Sequence, residues 1–384
     1  MVKRAFWLTR IEQIWKKRRL IWLAGVRRSG KTCLCRSIEK AEFFDCELPR
    51  TRKAIEADRE GFLNELRGRV VVLDEIHRLH NPSELLKIAA DHYDDILVVA
   101  TGSSTLGASK KFKDTLTGRK EMLWLTPMTS EDLQDFGQST LNHRLLHGGL
   151  PPFFLNKAAN ENEYQEWLDS FWAKDILELF NLKKKEPFLK FTELVFAQSG
   201  GQFNAASIGQ MCGISHTTAS AYLQALESTF AAHIIRPFST RKEAEIVKQP
   251  KVYAFDTGFA CYFKGISSLR PDDMGMLWEH FVLNELHAQL QSHAIFYWRD
   301  KQDKEIDFVL KNRSCPKAPV AIECKWSDNH FDIKALKAFR AYYPEGENYV
   351  VCHDVDRSYV REMHGMKVRF VSLRELIQKV RQPI

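Results

Sequence analysis

Gly25-Val26-Arg27-Arg28-Ser29-Gly30-Lys31-Thr32 satisfies every fixed position of the phosphate-binding loop GxxxxGK followed by Ser or Thr. It lies between an apolar run, Leu20-Ile21-Trp22-Leu23-Ala24, and a helical pattern. Strand, glycine-rich turn and helix in that order build a cradle for phosphates. Glycines at 25 and 30 permit backbone conformations and close approaches that a side chain would block. Backbone N–H groups line the turn, and the start of the following helix adds favourable potential for an anion. The expected nucleotide contacts are Gly25, Arg28, Ser29, Gly30, Lys31, Thr32 and Cys33, with Lys31 reaching the β- and γ-phosphates and Thr32 ligating Mg²⁺. ATP and Mg²⁺ are the cofactors this pattern implies.

The second half of such a site lies downstream. Val70-Val71-Val72-Leu73 reads as a buried parallel strand and ends in Asp74-Glu75. Asp74 is placed to hold the Mg²⁺ hydration shell, and Glu75, one residue further on, to polarise the attacking water. A third strand over 96–100 ends in Thr101-Gly102-Ser103-Ser104. Thr101, Ser103 and Ser104 are equally placed to sense the γ-phosphate or to cap the next turn.

A chain of 384 residues suggests two or three domains, each large enough to bury a core. No stretch has the length and apolarity of a membrane span, and the N-terminus lacks the form of a signal peptide, which predicts a cytoplasmic protein without a membrane partner. Eight scattered cysteines fit neither a zinc spacing nor a disulfide framework. A net charge of +7 permits a polyanionic partner, although 49 acidic residues dilute that signal. Lys16-Lys17-Arg18-Arg19, the most basic local run, reads as a solvated turn before the first strand, and Lys183-Lys184-Lys185 as an exposed loop.

From about Pro127 the strand pattern gives way to helical periodicity over 131–136 and 164–180, which predicts a helical lid around the Gly/Pro-rich turn at 147–152. Residues 203–230 have the rhythm of a helix-turn-helix. A short helix over 207–212 is followed by Gly213-Ile214-Ser215 as turn and N-cap. A second helix over 216–229 then carries Ala219, Leu223 and Leu226 on its apolar face. Strands over 234–238 and 251–255 flank a basic polar stretch and complete a winged helix. In a DNA-reading version His216, Thr217, Thr218 and Ser220 face the major groove while Arg241 and Lys242 touch phosphate. The second helix has no Lys or Arg, so a packing or oligomerisation role is the competing expectation.

The C-terminal region carries another constellation. A helix over 278–290 contains Glu279, a strand over 305–310 contains Asp307, and a strand over 320–326 contains Glu323 and Lys325. Alternation along a strand puts Glu323 and Lys325 on one face. Glu279, Asp307 and Glu323 could bind Mg²⁺ through hard oxygen ligands, with Lys325 orienting water or stabilising the transition state. The same residues could equally form a salt-bridge cluster in a catalytically idle fold.

The chain resembles the prokaryotic AAA-type ATPases whose nucleotide domain opens with GxRRxGKT and whose C-terminal region is a domain of unknown function with a nuclease-like fold. The matching pieces are Gly25 to Thr32, Val72 to Glu75, Thr101 to Ser104, Thr117-Gly118-Arg119, Gly148-Gly149-Leu150-Pro151, Pro250-Lys251-Val252-Tyr253, Asp256-Thr257-Gly258, Trp278-Glu279, Tyr297-Trp298-Arg299, Glu305-Ile306-Asp307-Phe308 and Glu323-Cys324-Lys325. They span residues 4–326. One departure is Leu150-Pro151-Pro152-Phe153, where the family more often has an acid after the first proline. The resemblance implies an α/β chain with an ASCE-type P-loop NTPase core over 1–137, a helical lid over 138–195, a winged-helix domain over 196–262 and a restriction-endonuclease-like α/β domain of PD-(D/E)xK type over 263–384. It also offers Arg119 as an arginine that touches the γ-phosphate in cis or from a neighbouring subunit, and so implies a homo-oligomer in the second case. The expected function is ATP hydrolysis coupled to action on DNA, with either Mg²⁺-dependent cleavage or nucleotide-gated binding by the C-terminal domain.

Overall fold

The computed structural model describes residues 2–104, 116–137, 140–156, 161–180, 182, 184–239, 249–312, 315 and 317–381. Arg241 and Lys242 of the expected wing, and Lys183 of the basic run, lie outside the described residues. The chain forms two compact units, the first from residues 1–140, 149–190 and 220–231, the second from 141–148, 191–219 and 232–384.

The first unit is built on five parallel strands, among the described residues: β1 (Leu20–Ala24), β2 (Ala41–Asp45), β3 (Val70–Asp74), β4 (Leu97–Gly102) and β5 (Lys120–Trp124). Their spatial order is β2-β3-β4-β1-β5. Every residue of β1 is buried, as a strand covered on both faces requires. β4 lies between β1 and β3, with Ala24 beside Gly102 and Leu73 beside Ala100. The turn after β1, the acids ending β3 and the hydroxyls ending β4 therefore emerge at one edge of the sheet.

A buried ion pair fixes the helix Ala5–Trp15 to this unit. Arg4 donates to both oxygens of Asp132, at 2.8 and 2.7 Å, and Trp7 adds a 3.2 Å bond to the same carboxylate. Asp132 also closes a capping box with Thr129 at the start of the helix Ser130–Asp135. Residues 149–190 of the expected lid belong to the same unit, while 141–148 and 191–195 fall in the second. The lid helix Glu161–Phe171 buries Tyr164, Trp167, Leu168 and Phe171, a helical stripe, and continues through a π-helical turn, Trp172–Ile176, into Leu177–Phe180.

The second unit holds the strands β6 (Gly201–Gln202), β7 (Ala232–Pro237), β8 (Lys251–Ala254), β9 (Ile295–Arg299), β10 (Glu305–Leu310), β11 (Val320–Lys325), β12 (Asn348–Cys352), β13 (Tyr359–Met363) and β14 (Met366–Val371). They form one mixed sheet in the order β13-β14-β12-β11-β10-β9-β7-β8-β6. The helices Pro271–Leu290 and Leu373–Arg381 share one apolar core with the sheet, and the helix Ile333–Tyr342 shares another. The chain groups by contacts into two units, and strand pairing joins the expected wing to the C-terminal sheet. The hairpin β7–β8, expected as a wing, is continued by β9, because Arg236 and Pro237 pair in parallel with Phe296 and Tyr297. An edge that would otherwise expose unpaired amides is thereby used.

The expected two-helix element is present, as Ala205–Cys212 and His216–Ser228. Asn204 caps the first helix, and Gly213 ends it in a left-handed conformation. A Cβ on Gly209 would sit 2.8 Å from the Ile214 carbonyl, so the tight turn needs glycine there.

Two predictions follow from these buried charges and rings. Arg4→Met would strand the Asp132 carboxylate in the core and should cost about 3–5 kcal/mol of stability in urea unfolding, the usual penalty for half of a buried pair. In the second unit His233, His280 and His287 are buried, and burial pushes His280 down to about 4, His287 down to about 3 and His233 well below its usual value. A histidine depressed in the folded state stabilises the fold above the unfolded value of about 6.5 and loses that contribution as pH falls toward the folded value. Unfolding measured between about pH 7 and about pH 5 should thus show stability falling by roughly 1.4 kcal/mol per pH unit per histidine below about 6.5. His280→Asn, which removes one such group, should flatten the slope.

Candidate nucleotide site and acidic pocket

The turn between β1 and the helix Lys31–Arg36 has the conformation that its glycines allow. Gly30 is left-handed at φ +95°, and a Cβ on Gly25 would lie 2.5 Å from the Leu125 carbonyl of the chain beside it. Lys31 is buried, and its Nζ donates to the carbonyls of Gly25 and Val26 at 2.8 and 3.2 Å. Burial lowers its pKa, against the opposing carboxylates of Glu75 and Asp175. Arg4 donates to the Ser29 carbonyl at 3.0 Å and so ties the turn to the Arg4–Asp132 pair.

Three elements meet at Asp74. Its Oδ2 accepts from Thr32 at 2.8 Å and its Oδ1 from Thr101 at 2.6 Å. The Glu75 N–H in turn donates to Thr101 Oγ1 at 2.9 Å, and Glu75 itself sits at φ +52°. Burial raises the Glu75 carboxyl, with Lys31 opposing, and His77 Nδ1 is 3.2 Å from its oxygen. Thr101, one of three hydroxyl candidates, is thus the one that bonds Asp74; Ser103 and Ser104 are buried nearby in sequence. Arg28 and Cys33 are exposed on the turn and its helix.

The donor set fits ATP and Mg²⁺. A hydroxyl and a carboxylate share a hydrogen bond where a hard cation needs oxygen ligands, and Ser29 Oγ on the turn is buried without a hydrogen-bond partner. Two residues missed by sequence reasoning complete the surroundings. Arg27 Nε donates to Asp175 Oδ2 at 2.6 Å, and the Trp167 indole donates to the Arg27 carbonyl at 3.2 Å. The only sequence signal was the helical stripe that placed Trp167 inside.

Arg119 is not brought to this site. It precedes β5, whose residue Lys120 pairs with Leu20 at the start of β1, while the phosphate turn follows the end of β1. Five strand residues separate the two levels, roughly 16 Å. Arg119 instead makes a two-pronged pair with Asp91 at 2.7 and 3.0 Å.

In the second unit Glu279, Asp307, Glu323 and Lys325 do converge. Lys325 Nζ is 2.7 Å from Glu323 Oε2 and 3.6 Å from Asp307 Oδ2, and the Cys324 N–H donates to Asp307 at 2.7 Å. Glu279, Asp307, Cys324, Lys325 and Trp326 line a cleft of about 690 Å³. Burial, aided by Asp307, pushes Glu323 up to about 8, and its Oε1 is buried without a hydrogen-bond partner. Such an orphaned oxygen beside a second acid fits a divalent cation.

Two further residues occupy the same pocket. Lys251 Nζ donates to Glu279 at 2.8 Å and to Glu305 at 2.7 Å. Tyr253, on the same face of β8, donates to Glu279 as well. Glu305 could have been found by the alternation used for Glu323 and Lys325, because it stands two residues before Asp307 on β10.

Comparison with known proteins agrees with the first unit's geometry. Residues 17–134 match the AAA domain family, residues 138–270 a Domain of unknown function (DUF8612), and residues 274–374 a further Domain of unknown function (DUF4143). Residues 17–134 are thus similar to AAA-type P-loop ATPase domains. The uncharacterized proteins Rv2008c of Mycobacterium tuberculosis and Mb2031c of Mycobacterium bovis are each 28% identical to it over 305 residues, 76% of this chain and 67% of theirs. Among solved structures, the Walker-type ATPase PABY2304 of Pyrococcus abyssi is similar at 16% identity and a TM-score of 0.43, over 69% of this chain and 96% of that one. No helix among the described residues is long and apolar enough to cross a membrane.

Proposed function

We propose that this chain binds and hydrolyses ATP with Mg²⁺, and that nucleotide state controls an action of its second unit on DNA. The observation that carries the ATPase reading is the meeting of Lys31, Thr32, Asp74, Glu75 and Thr101 at one edge of the parallel sheet. Lys31 and the turn amides hold the phosphates, while Thr32 and Asp74 are the residues that would hold Mg²⁺, which when bound neutralises phosphate charge. Glu75, raised by burial and oriented through its N–H to Thr101, positions water and accepts its proton. Arg119 acts in trans, from a neighbouring copy in a homo-oligomer; its place far from its own phosphate turn supports this.

For DNA, the support is the pair of helices joined at Gly213, the overall charge of +7, and exposed His216, Thr217 and Ser220 at the start of the second helix. Thr218 is half-buried. In this reading the helices and the hairpin β7–β8 serve as the expected winged helix. The second unit then cleaves with Asp307, Glu323 and Lys325, Glu279 assisting, in a nuclease-like fold. A second reading, in which the unit grips DNA or a protein without cutting, is favoured by one observation: the Lys251 ammonium already sits on Glu279 and Glu305.

ATP turnover by purified protein should fall about a hundredfold or more in Lys31→Ala, as when one charged donor to a transition state is lost, and turnover per chain should rise with protein concentration. Turnover that survives Lys31→Ala removes the site assignment; turnover independent of concentration removes the trans arginine. Plasmid incubated with Mn²⁺ should be nicked by the wild type and left intact by Lys325→Ala. Intact plasmid with both proteins, alongside DNA-stimulated ATPase, selects the gripping reading.

A further inference from the structure

The acidic pocket of the second unit contains more carboxylates than a single cation needs, and they are not equally available. Glu279, Glu305 and Asp307 each offer an oxygen within 4.8 Å of the others, the spacing of metal ligands. Two of these three are already bound to one ammonium, since Lys251 Nζ bonds Glu279 Oε1 and Glu305 Oε1 and the residue is only 4% exposed. The Tyr253 hydroxyl takes a further position on Glu279 Oε1. Glu305 is committed through its other oxygen too, to Arg299 Nη1 at 3.5 Å. Across the pocket Lys325 holds Glu323 Oε2, yet Glu323 Oε1 has no partner and is buried. One half of the pocket is therefore satisfied by protein, and the other half retains an uncompensated oxygen.

Charge alone does not divide the pocket, since each half holds two carboxylates and one ammonium. Four carboxylates, Glu279, Glu305, Asp307 and Glu323, face two ammoniums, Lys251 and Lys325, so the ionised set carries two negative charges in excess. Arg299 adds no net charge, because it is itself paired with Asp303 at 2.8 Å. An excess of two matches one divalent ion. The β-strand that carries Lys251 is paired on both sides, with β7 and β6, which holds its ammonium on the two acids.

We propose that Lys251 is a built-in cation that occupies the Glu279–Glu305 half of this pocket in place of a divalent ion, leaving the Asp307–Glu323 half to take one such ion. The proposal rests on the pocket being a cation site and is independent of ATP turnover or of DNA cleavage. Its consequence is that a pair of metal ions is excluded, and that any chemistry here proceeds with one ion and two lysines.

Mn²⁺ titration of the nucleotide-free full chain, followed by loss of the free-ion resonance signal, tests this directly, with circular dichroism as the check on folding. Wild type should bind one Mn²⁺ that Glu323→Gln loses. Lys251→Met, similar in length and uncharged, should gain a second equivalent or tighten binding by about tenfold or more, because a like charge has been removed from a few ångströms away. Lys251→Arg should keep the wild-type count. Should Lys251→Met fail to fold, Glu305→Gln decides: an acid committed to Lys251 and Arg299 is no ligand, so the variant keeps one bound Mn²⁺, weakened only by the lost charge. A Lys251→Met protein that titrates like the wild type, or a Glu305→Gln protein that no longer binds Mn²⁺, overturns the proposal. Absence of any Mn²⁺ that depends on Glu323, in wild type and Lys251→Met alike, overturns the cation-site reading itself and the proposal with it.

Discussion

The first unit depends on one carboxylate that cannot satisfy its two oxygens within its own strand. Asp74 ends β3, and it takes one hydroxyl from the phosphate-loop helix and one from the end of β4. Both bonds require β4 to lie between β1 and β3 and all three strands to stop at the same level, which is the order observed. The next residue shows the strain this arrangement sustains. Glu75 adopts a left-handed conformation, costly for a residue with a side chain, and the bond from its N–H to Thr101 holds it there. A single threonine thereby connects the acid proposed to hold Mg²⁺ to the acid proposed to position water.

Three buried or partly buried ion pairs join segments far apart in sequence. Arg4 meets Asp132, Arg27 meets Asp175, and Arg144 lies 3.4 Å from Asp256. Desolvation cancels much of the Coulomb gain in such pairs, so they add little net stability compared with apolar packing. What they do is penalise every arrangement in which one partner is buried alone. For Arg4 the arrangement matters functionally, since the same guanidinium holds the Ser29 carbonyl in the phosphate turn.

Those distances explain what the sequence could and could not disclose. The phosphate loop, Asp74 and Glu75 were legible because fixed local spacing and a strand–turn–helix context carry them. β10 matched its expected bounds, and β11 stopped one residue earlier, because short β-rich runs bounded by turns are local too. Arg4 with Asp132 was not legible, because the two stand 128 positions apart and nothing between them marks the pair. The motifs Gly148-Gly149 and Asp256-Thr257-Gly258 stood apart as separate matches, yet a Cβ on Gly148 would collide with Asp256, so they are two sides of one contact. Lys251 was read as a residue of a wing strand. Only the continuation of that hairpin into the larger sheet through β9 delivers it to Glu279 and Glu305.

The two lysine-bearing sites differ in what their ammonium groups hold, and that difference separates a ligand site from a self-satisfied one. Lys31 donates to two neutral backbone carbonyls, which are weaker partners than an anion; a triphosphate, bringing charged oxygens into a buried site, outcompetes them. Lys251 donates to two carboxylates inside a nearly closed environment, where charge-assisted bonds are strong and no small anion offers more. Removing it would leave Glu279 with the Tyr253 hydroxyl and Glu305 with Arg299 at 3.5 Å, a loss of charge compensation that another cation would offset. The first ammonium is therefore poised to change partners, and the second to keep them.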